Sequence, residues 1–140
     1  MTLDGTWFGF YEYGASYGLP FFAQRVPVRI TFTTSAEGIA GVCQEEATDL
    51  SVAREANLRG FLEGQVVSLV KTYAEVGAVP DANAALLGEV EETEVEYNGF
   101  LDAERNSLYG EWVIYALNET GPDGLPLVEG HGLWLLTREA

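Results

Sequence analysis

Cysteine, histidine, lysine and long apolar runs are the scarce things in this 140-residue chain. Cys43 is the single cysteine, which excludes an internal disulfide framework and a Cys-rich zinc site. His131 is the single histidine. Gly130-His131-Gly132 sets it at a strand start on the face opposite Trp134. It has no nucleophile or orienting partner beside it in sequence, so it reads as an exposed polar residue rather than a catalytic base. Lys71 is the single lysine, and with six arginines it faces 22 acids, a net charge of −15. Nucleic acids and anionic membranes are bound by neutralising phosphates with Lys and Arg, so neither is expected as a partner. No uncharged run approaches the roughly 18–20 apolar residues of a spanning helix. The opening Met1-Thr-Leu-Asp4 lacks a basic leader, so a cytoplasmic or already processed chain is expected. There is no Gly-x-Ser-x-Gly elbow. Gly14-Ala-Ser-Tyr-Gly18 lacks the Lys-Ser/Thr of a phosphate loop. The acid run Glu89, Glu91, Glu92, Glu94 and Glu96 lacks calcium-loop spacing and reads as a solvated strand entrance. No metal and no cofactor is expected.

What is present is apolar and alternating. Hydrophobic residues make up 47% and aromatics 12%, enough for one core in a single domain over 1–140. Short alternating runs fall at 6–13, 25–34, 38–47, 58–62, 66–73, 94–101, 107–116 and 132–138, most of them joined by turn residues. Eight strands with short links predict an all-β, antiparallel, up-and-down barrel. Two connections are longer. The first, 14–24, carries Tyr17, Phe21 and Phe22 and suits either a lid or an aromatic plug. The second, 74–92, predicts a short helix over 81–88, capped by Asp81 and stopped by Gly88.

Several of the 16 glycines lie inside strands: Gly9, Gly41, Gly60, Gly99, Gly110 and Gly132. Glycine there permits the bends and close packing a small barrel needs. Leu3-Asp-Gly5-Thr-Trp7 resembles the Gly-x-Trp opening strand of the calycins: lipocalins, fatty-acid-binding proteins and avidins. The further pattern Trp7-Phe-Gly9-Phe-Tyr11-Glu-Tyr13, Lys71-Thr-Tyr73, Tyr97-Asn-Gly99, Gly110-Glu-Trp112 and a terminal Arg138 is similar to small bacterial barrel proteins. The resemblance implies an eight-stranded barrel whose interior Trp7 plugs. It carries over no biotin-binding set, because Gly9 and Tyr11 replace the polar residues that follow the first tryptophan of avidins.

If Trp7 points inward, period-two alternation brings Tyr11, Tyr13, Cys43, Glu45, Lys71, Tyr73, Tyr97, Trp112 and Arg138 to the same interior. Lys71 between Leu69 and Tyr73 is not the pattern of an outer face. Buried charges must be paired, hydrated or bound to a ligand. Two readings follow. In one, Lys71 and Arg138 meet the carboxylate or phosphate of a ligand held by Tyr11, Tyr13, Glu45, Tyr73, Tyr97 and Trp112. In the other, Glu45 pairs with Lys71 or Arg138 near a barrel end and tyrosine hydroxyls complete the pair. The first predicts a non-enzymatic protein that binds a small, partly apolar, anionic molecule. A ligand-free structural oligomer and an isomerase or cyclase acting in the pocket are the alternatives. Phe8, Phe10, Val113, Tyr115, Leu133 and Leu135 fall on the outward phase, and such a patch predicts a homo-oligomer.

Overall fold

The structure is a computed structural model and describes residues 2–49, 52–73, 94–120, 124 and 126–138. Eight strands follow one another in chain order: β1 (Gly5–Tyr13), β2 (Arg25–Ser35), β3 (Gly38–Glu45), β4 (Arg54–Glu63), β5 (Val66–Tyr73), β6 (Glu94–Asp102), β7 (Ser107–Thr120) and β8 (Pro126–Arg138). Each pairs with its neighbours and β1 pairs antiparallel with β8, so the sheet is a closed up-and-down barrel. The expected helix over 81–88 lies outside the described residues. A 3-10 turn, Ala15–Tyr17, sits in the first connection.

Period-two burial runs through the barrel. Val26, Val28, Ile30 and Phe32 of β2 are buried, and so are Ile39, Gly41, Cys43 and Glu45 of β3. Apolar alternation sets that phase, because a one-residue slip would turn each set to water. The strand expected at 58–62 begins four residues earlier, at Arg54. Arg54-Glu-Ala-Asn57 contains no β-branched or aromatic residue, so local preference does not announce it. Pairing with β3 recruits it: Arg54 lies opposite Glu45, and Ala56 opposite Cys43. Strands β7 and β8 also run longer than expected and hold each other through an irregular register past Ile114. Gly99 and Gly110 face each other across β6 and β7. A Cβ on either would strike a carbonyl oxygen of the neighbouring strand, Tyr109 or Asn98. That close approach is one of the bends that closes the barrel.

The two ends differ. At one end the hairpins β2–β3, β4–β5 and β6–β7 are tight, and the N-terminal segment folds beneath the barrel. Leu3 there is wholly buried, and its carbonyl accepts a hydrogen bond from Trp7 Nε1 at 2.9 Å. The Arg138 guanidinium lies 4.6 Å over the Trp7 ring, and its Nη2 donates to Thr2 O at 2.6 Å. Trp7, Phe32 and Leu3 close this end. The other end receives the last residues of β1, β3, β5 and β7 and the first connection, whose Tyr17 and Phe21 pack against Tyr13.

Candidate functional site

Glu45 ends β3 and Lys71 sits one pleat before the end of β5, with β4 between them. Both side chains point inward at the loop-bearing end and are 2% exposed. They reach across the interior to form an ion pair, Lys71 Nζ to Glu45 Oε2 at 2.6 Å. Tyr11 Oη donates to Glu45 Oε1 at 3.2 Å, and Tyr73 Oη lies 3.2 and 3.1 Å from the two carboxylate oxygens. Lys71 Nζ also donates to Tyr97 Oη at 2.9 Å. The ammonium stands 4.4 Å from the Tyr11 ring centroid and 5.0 Å from those of Tyr73 and Tyr97, within cation–π range. Of the two readings open to the sequence, the Lys71–Glu45 pair completed by tyrosine hydroxyls is the one found here.

The electrostatics follow from burial. Desolvation alone would push Lys71 down, but Tyr97, Tyr73 and the Glu45 carboxylate outweigh it and hold the ammonium well above its ordinary range. Burial first, then the neighbouring Tyr73 and Glu45, pushes the Tyr11 phenol far up. Burial raises Tyr97 and Tyr73 too, with Lys71 opposing. The Cys43 thiol is pushed up to about 12 by burial, which makes it an inert core thiol as its inward phase suggested.

Above this pair the aromatics interlock edge to face. Tyr13 packs against Tyr11, Tyr17, Phe21 and Trp112, with centroids 5.7, 4.9, 5.5 and 6.3 Å apart. Tyr17 and Phe21 come from the first connection, so that connection is packed into the mouth, while Phe22 stays exposed. Trp112 Nε1 donates to Glu12 O at 3.1 Å, which fixes the indole against β1. Two adjoining recesses remain. One, about 540 Å³, is lined by Tyr11, Tyr13, Glu45, Thr48, Asp49, Val52 and Arg54. The other, about 210 Å³, reaches down past Tyr73, Trp112, Val95 and Ile114 to Lys71 and Tyr97. Deeper still, Lys71 and Tyr97 bound a cavity of only about 10 Å³, close to the least space that holds one water. Below that level the barrel is filled by its own side chains.

Seven of the eight expected site residues therefore meet at one end: Tyr11, Tyr13, Glu45, Lys71, Tyr73, Tyr97 and Trp112. Arg138 does not. It shares their inward phase, yet β8 runs down to the closed end, where Arg138 stands opposite Trp7. Neither its expected pairing with Glu45 nor a shared anion site with Lys71 holds. Arg54 takes the place at the mouth instead. Its guanidinium lies 4.7 Å over the Tyr73 ring, and it makes no ion pair among the described residues. Arg54-Glu-Ala-Asn57 carries no strand signal of its own, and only its pairing with β3, Arg54 opposite Glu45, reveals Arg54. No cluster of three or more His, Cys, Asp or Glu is placed to hold a metal among the described residues. Comparison with protein-family models, curated proteins and solved structures finds no match for this chain.

Proposed function

We propose that the protein binds a small, partly apolar, anionic molecule in the mouth of the barrel. One observation carries this reading: the recess at the loop-bearing end is walled by aromatic rings and rimmed by Arg54, a cation that its own chain leaves unpaired among the described residues. Lys71 faces the same recess, but Glu45 already neutralises it. The anionic group therefore belongs at the rim with Arg54, and the flat apolar part against Tyr13, Tyr73 and Trp112. Kinship with the calycins belongs to this proposal too. It is supported by the closed eight-stranded barrel itself, whose first strand opens on Gly5-Thr-Trp7 with Trp7 buried in the interior. The test is calorimetric titration with benzoate, a one-ring anion small enough for a recess of about 210 Å³. One site per barrel is expected, with affinity falling about tenfold in Arg54→Glu, in line with the loss of one charge-assisted contact, and unchanged in the outer-wall variant Leu135→Asn. Binding indifferent to Arg54 and lost with Leu135 would place the benzoate on the outer wall and refute the reading.

A second reading concerns assembly. Outward side chains from five adjacent strands stand in direct register: Phe10 opposite Leu135, Leu135 opposite Tyr109, Tyr109 opposite Phe100, and Phe100 opposite Val66. Leu135, Tyr109, Phe100 and Val66 leave 37%, 46%, 51% and 50% of their surface exposed. This row extends beyond the patch expected from sequence, onto β6 and β5. Arg25 partly covers Phe10, 4.2 Å from its ring, whereas Phe61 and Leu133 add to the open face. Together these side chains offer roughly 500 Å² per copy, so two faces pressed together reach the roughly 1,000 Å² that a specific interface needs. A second copy of this chain is the occupant that reading names.

A further inference from the structure

The hydrogen-bond inventory at the floor of the recess does not close. Lys71 carries three N–H donors and uses two of them, on Glu45 and Tyr97. Tyr97 Oη accepts from Lys71, which leaves its own O–H to donate, and it meets no acceptor among the described residues. Both side chains are more than nine-tenths buried. The tyrosine rings around Nζ hold its charge, but a ring face is a weak acceptor. A buried donor without an acceptor is costly, and most in native proteins find one in protein, water or ligand. Glu45, by contrast, is fully engaged by Lys71, Tyr11 and Tyr73.

We propose that Tyr97 Oη and Lys71 Nζ form a donor pair that receives one neutral carbonyl oxygen of the ligand. The inference rests on the binding reading above and names its ligand class: a small, one-ring or similarly compact keto acid that enters carbonyl first, with its carboxylate at Arg54. Charge decides the orientation. The Lys71–Glu45 pair is already neutral, so a carboxylate pushed to the floor would put a second, uncompensated negative charge beside Glu45, where both side chains are buried. A carbonyl oxygen takes both spare donors and brings no charge. Arg54, exposed at the rim of the same recess, is where an anion is matched at little desolvation cost. Val95, Ile114 and Trp112 between the two ends fit an apolar ring. The recess of about 210 Å³ is smaller than the roughly 300–1,000 Å³ of pockets for drug-sized ligands, which limits the occupant to about one ring.

The experiment compares two probes that differ only at the inner end, para-acetylbenzoate and para-ethylbenzoate. The ketone should bind about tenfold more tightly, as expected for the hydrogen bonds it gains. Its C=O stretching band should move to lower wavenumber in the complex, read by infrared difference spectroscopy. Tyr97→Phe should erase both the preference and most of the shift, while Arg54→Gln weakens both probes alike and leaves the shift in place. Equal affinity for the two probes, with no band shift in the unmodified protein, overturns the donor pair while the binding reading stands, and it needs no variant to fold. Failure of both probes to bind, together with failure of benzoate, overturns the binding reading and the donor pair with it.

Discussion

Replacing Lys71 with methionine keeps the length and most of the volume of the side chain and removes its charge. The Glu45 carboxylate then stays at 2% exposure without its ammonium. Breaking a buried pair by deleting one partner costs about 3–5 kcal/mol, because the remaining charge is neither solvated nor compensated. Glu45 retains Tyr11 and Tyr73 as donors, so the lower end, about 3 kcal/mol, is expected. Since both groups are out of water, no discount for solvent screening applies. For a chain of this length that is a fall in Tm of roughly 10 °C. Glu45→Gln alone should also destabilise, leaving Lys71 with Tyr97 and the rings. The double variant should lose far less than the sum, since a neutral, well-packed substitute for a buried pair is often no less stable than the pair. Urea unfolding followed by circular dichroism, run as a double-mutant cycle, measures the coupling. Additive single variants, or a Lys71→Met loss below about 1 kcal/mol, would mean that the pair does not hold this end of the barrel together.

Stability should fall as the solution is made alkaline. The unfolded chain gives up the Cys43, tyrosine and Lys71 protons from their ordinary values of 9.0, 10.0 and 10.5, while the folded chain keeps them because all these groups are raised. The native state then binds more protons than the unfolded one, so stability drops with each step of pH above about 9. Tyrosinate absorbance should show Tyr11 and Tyr97 ionising together with unfolding, and a smooth titration of all seven tyrosines near about pH 10 in a folded protein would contradict this. On assembly, sedimentation should show a dimer that tightens as salt rises, because screening relieves repulsion between chains of charge −15. Phe100→Glu should dissociate it without loss of β-sheet dichroism, and a monomer at tens of micromolar in both low and high salt would refute the second-copy interface.

Which way each strand faces could be read directly, because two inward residues in every four leave a period of two in the chain: Val26, Val28, Ile30 and Phe32, or Leu69, Lys71 and Tyr73. How high each residue sits along the barrel could not. Arg138 and Lys71 share the inward phase, yet they lie at opposite ends because β8 pairs with β1 across almost the whole length of the chain, with Arg138 beside Trp7. Height depends on register, and register is a property of pairs of strands rather than of any one. The same limit explains Arg54, whose segment carries no strand signal of its own and becomes a strand only against β3.

It also bears on what the mouth can select. A lone lysine among apolar neighbours reads as a cation waiting for an anion. Once Glu45 is found at the same height, its charge is already met within the chain. On the proposed reading, selection in the recess rests on what the pair leaves over among the described residues: the spare O–H of Tyr97, one N–H of Lys71 and the guanidinium of Arg54, which has no ion pair there. A molecule that merely carries negative charge satisfies only the last of these. One that also carries a carbonyl oxygen at the other end of a short apolar body satisfies all three.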